Sequence, residues 1–182
     1  MAFNINEIRA NLAQGGARPN LFQVTITNPV NPIGDLRLPF LCQAAQLPAT
    51  TITPINVPYF GRQIKIAGNR TFDPWTVTIM NDEDFLVKNG MESWVNAINS
   101  LQGNLNTLGP SPTLYKSQAT VTQYSKSGEP IRTYQFNGIF PTVVGAIGLA
   151  WDSNNTIETF DVTFQYDNFE VLVGPTGNAG GI

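Results

Sequence analysis

Residues 59–94 read YFGRQIKIAGNRTFDPWTVTIMNDEDFLVKNGMESW and hold a turn, two strand patterns and the start of a helix in one run. Arg62 to Ala67 reads as a short strand, closed by a Gly68-Asn69 turn. Trp75 to Asn81 alternates, with Trp75, Val77 and Ile79 on one face and Thr76, Thr78 and Met80 on the other. A helix is predicted next, over residues 82–101. Asn81 or Asp82 caps it, and Asp82, Glu83 and Asp84 sit where the helix dipole favours negative charge. Val87, Met91, Trp94, Ile98 and Leu101 form an apolar stripe, and Gly90 costs only about 1 kcal/mol within it. Such a stripe needs a sheet to lie on, so the segment predicts a mainly β fold with one amphipathic helix packed on it.

Working outward supplies the remaining strands. Upstream, Thr51 to Tyr59 is rich in Thr, Ile and Val, but Pro54 and Pro58 restrict it to an edge strand or an irregular extended piece. Leu38 to Leu47 reads as a strand containing Cys42, residues 28–37 as turns, and Leu21 to Thr27 as a strand with Phe22, Val24 and Ile26 on one face. Residues 4–13 are predicted as a short helical arm, capped by Asn4 or Asn6, with Ile5, Ile8 and Leu12 on one side. It packs either on its own domain or on a neighbouring subunit.

Downstream, residues 102–113 form a long uncharged loop. Tyr115 to Tyr124 and Ile131 to Phe140 pair as a hairpin around the turn at 126–130, the second strand ending at Pro141. Thr156 to Phe169 is the longest predicted strand. Phe160, Val162, Phe164 and Tyr166 take its apolar face, and Thr159, Asp161, Thr163, Gln165 and Asp167 its wet face. The expected architecture is an antiparallel β-barrel or sandwich of seven or eight strands, helix on one side. Its predicted core includes Trp75, Val87, Met91, Trp94, Ile98, Leu101, Phe160, Val162 and Phe164. The expected organisation is a single domain: an arm at 1–20, a β domain at 21–172 and a glycine-rich tail at 173–182.

Composition narrows the function. Charged residues make up only 13% of the 182, giving net charge -3, and Asn, Thr, Gln and Ser fill the polar positions instead. A surface of that kind suits burial against copies of itself, because uncharged groups carry smaller desolvation penalties than ions. With no histidine and one cysteine, His-based catalysis, zinc-histidine sites, internal disulfides and Cys-only clusters are all excluded. No cofactor or metal is expected. The start lacks the pattern of a secretory signal, and no apolar run is long enough to form a membrane segment. Ten scattered Lys and Arg argue against sequence-specific nucleic-acid binding.

The carboxylates offer no catalytic pair. Capping explains Asp82 to Asp84, and Asp161 and Asp167 stand roughly 20 Å apart along a strand. The glycine-rich tail is followed by no lysine and no helix, so it is no phosphate loop. Asn154-Asn155-Thr156 matches a glycosylation pattern without a secretory context. The expectation is that the chain is not an enzyme.

The same decisive segment carries a family resemblance. In order, Phe60-Gly61-Arg62, Lys65, Thr71-Phe72-Asp73-Pro74-Trp75, Asn81 to Phe85 and Glu92 to Trp94 resemble the tail tube proteins of T-even-type contractile-tailed bacteriophages. Arg18-Pro19-Asn20-Leu21-Phe22, Leu38-Pro39-Phe40-Leu41-Cys42 and Leu47-Pro48 match earlier parts of that family, so the likeness spans roughly 15–172. It implies a structural subunit of the virion's tail, assembled in the bacterial host cytoplasm. Hexameric rings would stack into a hollow tube inside a contractile sheath, with strands joined into one barrel around the channel. The implied partners are other copies of the chain, the sheath protein, baseplate tube-initiation proteins, the tail terminator and the tape-measure protein in the lumen. DNA would pass without sequence-specific binding.

Within that frame Thr159, Asp161, Thr163, Gln165 and Asp167 are lumen-facing candidates, and Arg62, Lys65, Arg70, Asp82, Glu83 and Asp84 are inter-subunit candidates. The alternatives are the inner tube of an extracellular contractile injection or type VI secretion system and, outside this class, a monomeric ligand-binding β module.

Overall fold

The computed structural model describes residues 5–12, 15–172, 174, 176 and 177. The Asn4 cap and positions 173, 175 and 178–182 of the glycine-rich tail lie outside the described residues.

The described residues form nine strands and three α-helices: α1 (Ile5–Asn11), β1 (Phe22–Ile26), α2 (Leu38–Leu41), β2 (Cys42–Ala45), β3 (Thr50–Tyr59), β4 (Arg62–Phe72), β5 (Trp75–Met80), α3 (Leu86–Ile98), β6 (Ser117–Tyr124), β7 (Pro130–Val144), β8 (Thr159–Gln165) and β9 (Asn168–Val171). The main sheet is antiparallel, in the order β1-β6-β7-β8-β5-β2, with β9 also on β7. β7 is the spine. One edge pairs with β6, while the other pairs first with β9 and then with β8, so the sheet folds over around it. β1 and β2 approach each other without pairing, and no sheet closes into a barrel. Of the barrel or sandwich expected from sequence, the closed barrel is not formed.

The core fills the inside of this folded sheet. Val24, Ile26, Trp75, Val77, Ile79, Ala119, Val121, Phe136, Ile139, Phe160, Val162 and Phe164 are buried, joined by Leu38 and by Val87, Met91 and Trp94 of α3. Ile98 is partly buried against them. Trp75 stacks on Phe136 with ring centroids 4.4 Å apart, and its Nε1 donates to the Gln46 carbonyl at 2.7 Å. Trp94 Nε1 donates to the Tyr115 carbonyl at 2.9 Å. Both indoles thus bury their rings and satisfy their one polar group.

Several boundaries differ from the sequence expectation. α3 begins at Leu86, because Asp82 to Phe85 form a turn in which Asp84 Oδ1 accepts from the Leu86 N–H at 3.1 Å. It ends at Ile98, where the Asn96 side chain takes the Leu101 N–H at 3.0 Å. Leu101 then stands outside the helix and is 92% exposed, so it leaves the predicted core list. Leu38 to Leu41 is a helical turn, opened by Pro39, and only Cys42–Ala45 is strand.

The Gly68-Asn69 stretch does not end a strand. β4 runs through it, and a Cβ at Gly68 would collide with the Thr53 carbonyl at the bulge beside Pro54. β7 likewise continues past Pro141 by way of a bulge between Pro141 and Val143. The long strand predicted from Thr156 to Phe169 is two strands broken at Tyr166-Asp167. There the Asp167 carboxylate lies over Gly138, whose φ of +68° and missing Cβ make room for it.

Cys42 closes α2, and burial pushes its thiol up to about 11. Alkylation by iodoacetamide at pH 8 is expected to run about two orders of magnitude slower than for free cysteine, because little thiolate is present. Mass spectrometry of timed aliquots measures this, and free-cysteine kinetics would contradict it.

Candidate functional site

The described residues form no group of three or more metal-ligating side chains. What the fold offers instead is surface. Three surfaces stand out, and each is built from a local sequence feature.

The first is the β3–β4 hairpin, a separate two-stranded sheet. Its strands pair from Thr50↔Phe72 to Tyr59↔Arg62, and its tip turns through Phe60 and Gly61 at φ 42° and 80°. Successive left-handed residues match the twist of the flanking strands, although a Phe there is uncommon. Ile52, Ile55, Val57, Tyr59, Ile64 and Ile66 are all exposed, and Phe60 is 90% exposed. The inter-subunit candidates Arg62, Lys65 and Arg70 lie along β4 and make no ion pair among the described residues. Ile55, Val57, Tyr59, Ile64 and Ile66 share one face by the register, and a two-stranded ribbon exposed on both faces is marginal by itself and exposes both strand edges.

The second is the outward face of the main sheet. Thr76 and Thr78 on β5 stand opposite Thr163 and Asp161 on β8. Thr76 and Thr163 share a hydrogen bond at 3.2 Å, and the Thr78 hydroxyl donates to Asp161 Oδ1 at 2.6 Å. Thr159 and Gln165 lie on the same side, since Phe160, Val162 and Phe164 point into the core. The remaining lumen candidate, Asp167, is set apart. It lies in the β8–β9 bend and takes Lys116 Nζ at 2.7 and 2.8 Å. Beyond β7 the face continues with a Thr25–Thr120 hydroxyl pair, a Thr122–Thr133 pair at 3.2 Å, and Asn137 bridging Asn168 and Glu170. It is a field of hydroxyls and amides carrying few carboxylates. Thr76 and Thr78 were detectable in sequence by alternation, but only the β5–β8 register joins them to Asp161.

The third is the acidic turn before α3. Arg37 binds Asp82 at 3.3 Å and also Asp84, so two of the three predicted inter-subunit acids already have a partner within the chain. Glu83 makes no ion pair among the described residues. Arg37 sits on the turn before α2, and no short-range pattern connects it to a site 45 residues later.

A phage tail tube protein family model matches residues 8–172. The chain belongs to the phage tail tube protein family. It is 43% identical to the tail tube protein of Enterobacteria phage T4 over 155 residues, covering 85% of this chain and 91% of that protein. It is 25% identical to the tail tube protein of Serratia phage KSP90 over 170 residues, covering 89% and 93%. Among solved structures, the fold resembles the sheath/tube terminator of an extracellular contractile injection system, PVC, at TM-score 0.63 and 16% identity over 86% of this chain and 96% of that one. It also resembles the tube-terminating cap of the anti-feeding prophage at TM-score 0.62 and 18% identity, covering 86% and 91%.

Membership makes the chain a structural, non-enzymatic, tube-forming component of the phage tail. No helix among the described residues is long and apolar enough to cross a membrane.

Proposed function

We propose that copies of this chain form hexameric rings that stack into a hollow tube within a contractile sheath. The tube holds the tape-measure protein during assembly and later conducts DNA into the host. The observation that carries the reading is the β3–β4 hairpin: its aliphatic side chains are exposed on a ribbon that pairs with no strand of the main sheet, and a neighbouring copy is the natural cover. Open edges at β1 and β2 fit the same scheme, since pairing between subunits removes exposed strand edges.

In the tube, the face bearing Thr159, Asp161, Thr163 and Gln165 lines the channel. One Asp161 per subunit makes a ring of negative charge that repels phosphate, and hydroxyls and amides give a sliding duplex no cation to stick to. Arg62, Lys65 and Arg70 meet acids of the adjacent copy, with Glu83 a free partner on this side. The sheath protein, baseplate initiation proteins and tail terminator bind the outside and ends of the tube.

Electron microscopy of the purified chain, seeded with phage baseplates where nucleation is slow, tests this directly. Hollow six-fold tubes with Asp161 on the channel wall are the expected result. Monomers at millimolar concentration in the presence of seeds would overturn the tube, and Asp161 packed in an interface would overturn the channel face.

A further inference from the structure

Two features at opposite ends of β7 fit each other. The β7–β8 loop, residues 145–158, exposes Leu149, Trp151 and Ile157, and Trp151 is 103% exposed. An indole fully in water is the kind of side chain often found anchoring an interface. Asp152 follows it, and its carboxylate has no partner among the described residues. At the other end of β7, the segment after α1 and the β6–β7 turn enclose a groove of about 840 Å³. Leu12, Ala17, Tyr124 and Ile131 give it apolar and aromatic walls, while Arg18 and Lys126 bring two cations that make no ion pair.

We propose that Trp151 of one copy inserts into this groove on the next copy, with its Asp152 meeting Arg18 and Lys126. Charge complementarity commits the occupant to a second copy: a lone carboxylate beside the knob, two unpaired cations beside the hole. Topology sets the geometry. The 15 residues of β7 hold the β6–β7 turn and the start of the β7–β8 loop on the order of 40 Å apart, so knob and hole are different surface patches. The contact is therefore head-to-tail, the kind that propagates into rings or filaments rather than stopping at a dimer. The inference rests on the tube reading above and adds a specific joint to it.

Tryptophan fluorescence tests the joint, because Trp75 and Trp94 are buried and Trp151 is the indole open to a quencher in the free subunit. Acrylamide quenching and pelleting are followed across a concentration series of the full chain, seeded with baseplates. Assembly should shield Trp151, and Trp151→Ala should raise the critical concentration about tenfold or more. Asp152→Lys and Lys126→Asp should each weaken assembly, with recovery in the double variant. Tubes in which Trp151 stays quenchable, or in which Trp151→Ala pellets like the wild type, would overturn the joint and leave the tube standing. If the seeded wild type never pellets, the tube reading fails and the joint with it.

Discussion

Replacing Trp75 by alanine should lower stability by about 3–5 kcal/mol. The side chain is 2% exposed, stacks on Phe136 and lies 5.7 Å from Phe164. Its loss opens a cavity where β5, β7 and β8 meet. It also leaves the Gln46 carbonyl without its donor, which removes the tie between the chain after β2 and the sheet. Trp75→Phe separates the two contributions: it keeps most of the ring packing but still abandons the carbonyl, costing about 1–3 kcal/mol. Leu101→Ala is the control. That side chain sits in water, so its change should stay within about 0.5 kcal/mol. Urea denaturation followed by circular dichroism gives all three values. A Trp75→Ala loss below 1 kcal/mol would mean that the indole does not bridge the sheet.

The contrast between Trp75 and Leu101 also shows where sequence reasoning reaches and where it stops. Alternation is a local signal, and it placed Trp75, Val77 and Ile79 inward and Thr76 and Thr78 outward, as the β5–β8 register has them. The helical stripe worked equally well through Val87, Met91 and Trp94. Its last member failed because the Asn96 side chain ended the helix, a competition that periodicity does not register. The break at Tyr166-Asp167 had a more distant cause: Gly138, on another strand, makes the space that bends the chain.

Gly68 misled in the opposite sense. It looked like a turn, yet its missing Cβ lets β3 cross close to β4 and lengthens the hairpin. Pairing of Asp82 and Asp84 with Arg37 was illegible for the same reason, since nothing near either end announces the other. Barrel closure was a different kind of error. Alternating strands carry no record of whether the missing pairings come from the same chain or from the next copy. Composition announced a surface poor in charge, but it could not say which elements carry the exposed apolar side chains, and the hairpin carries many of them.

Excising the hairpin should therefore separate folding from assembly. Thr51 and Thr71 are register partners near its base, so an Asn-Gly turn joining them closes the gap with little strain. Phe72 stays in place, which matters because its ring packs 5.7 Å from both Tyr166 and Phe169. The residues removed beyond that point pair with no strand of the main sheet and are exposed apart from Gly68, so the melting temperature should hold within a few degrees.

Assembly should be abolished. Each exposed isoleucine or valine of the ribbon contributes about 1.5–3 kcal/mol when covered, and several per subunit act together at every contact. A companion variant with Ile55 and Ile66 both changed to Thr, a cross-strand pair in the register, keeps the ribbon while removing apolar surface. It should raise the critical concentration by at least tenfold, without the total loss seen on excision. Sedimentation and electron microscopy read both. If the excised chain still forms tubes, the hairpin is not what holds copies together. If it unfolds instead, the ribbon supports its own subunit, and its exposed apolar face needs a different cover.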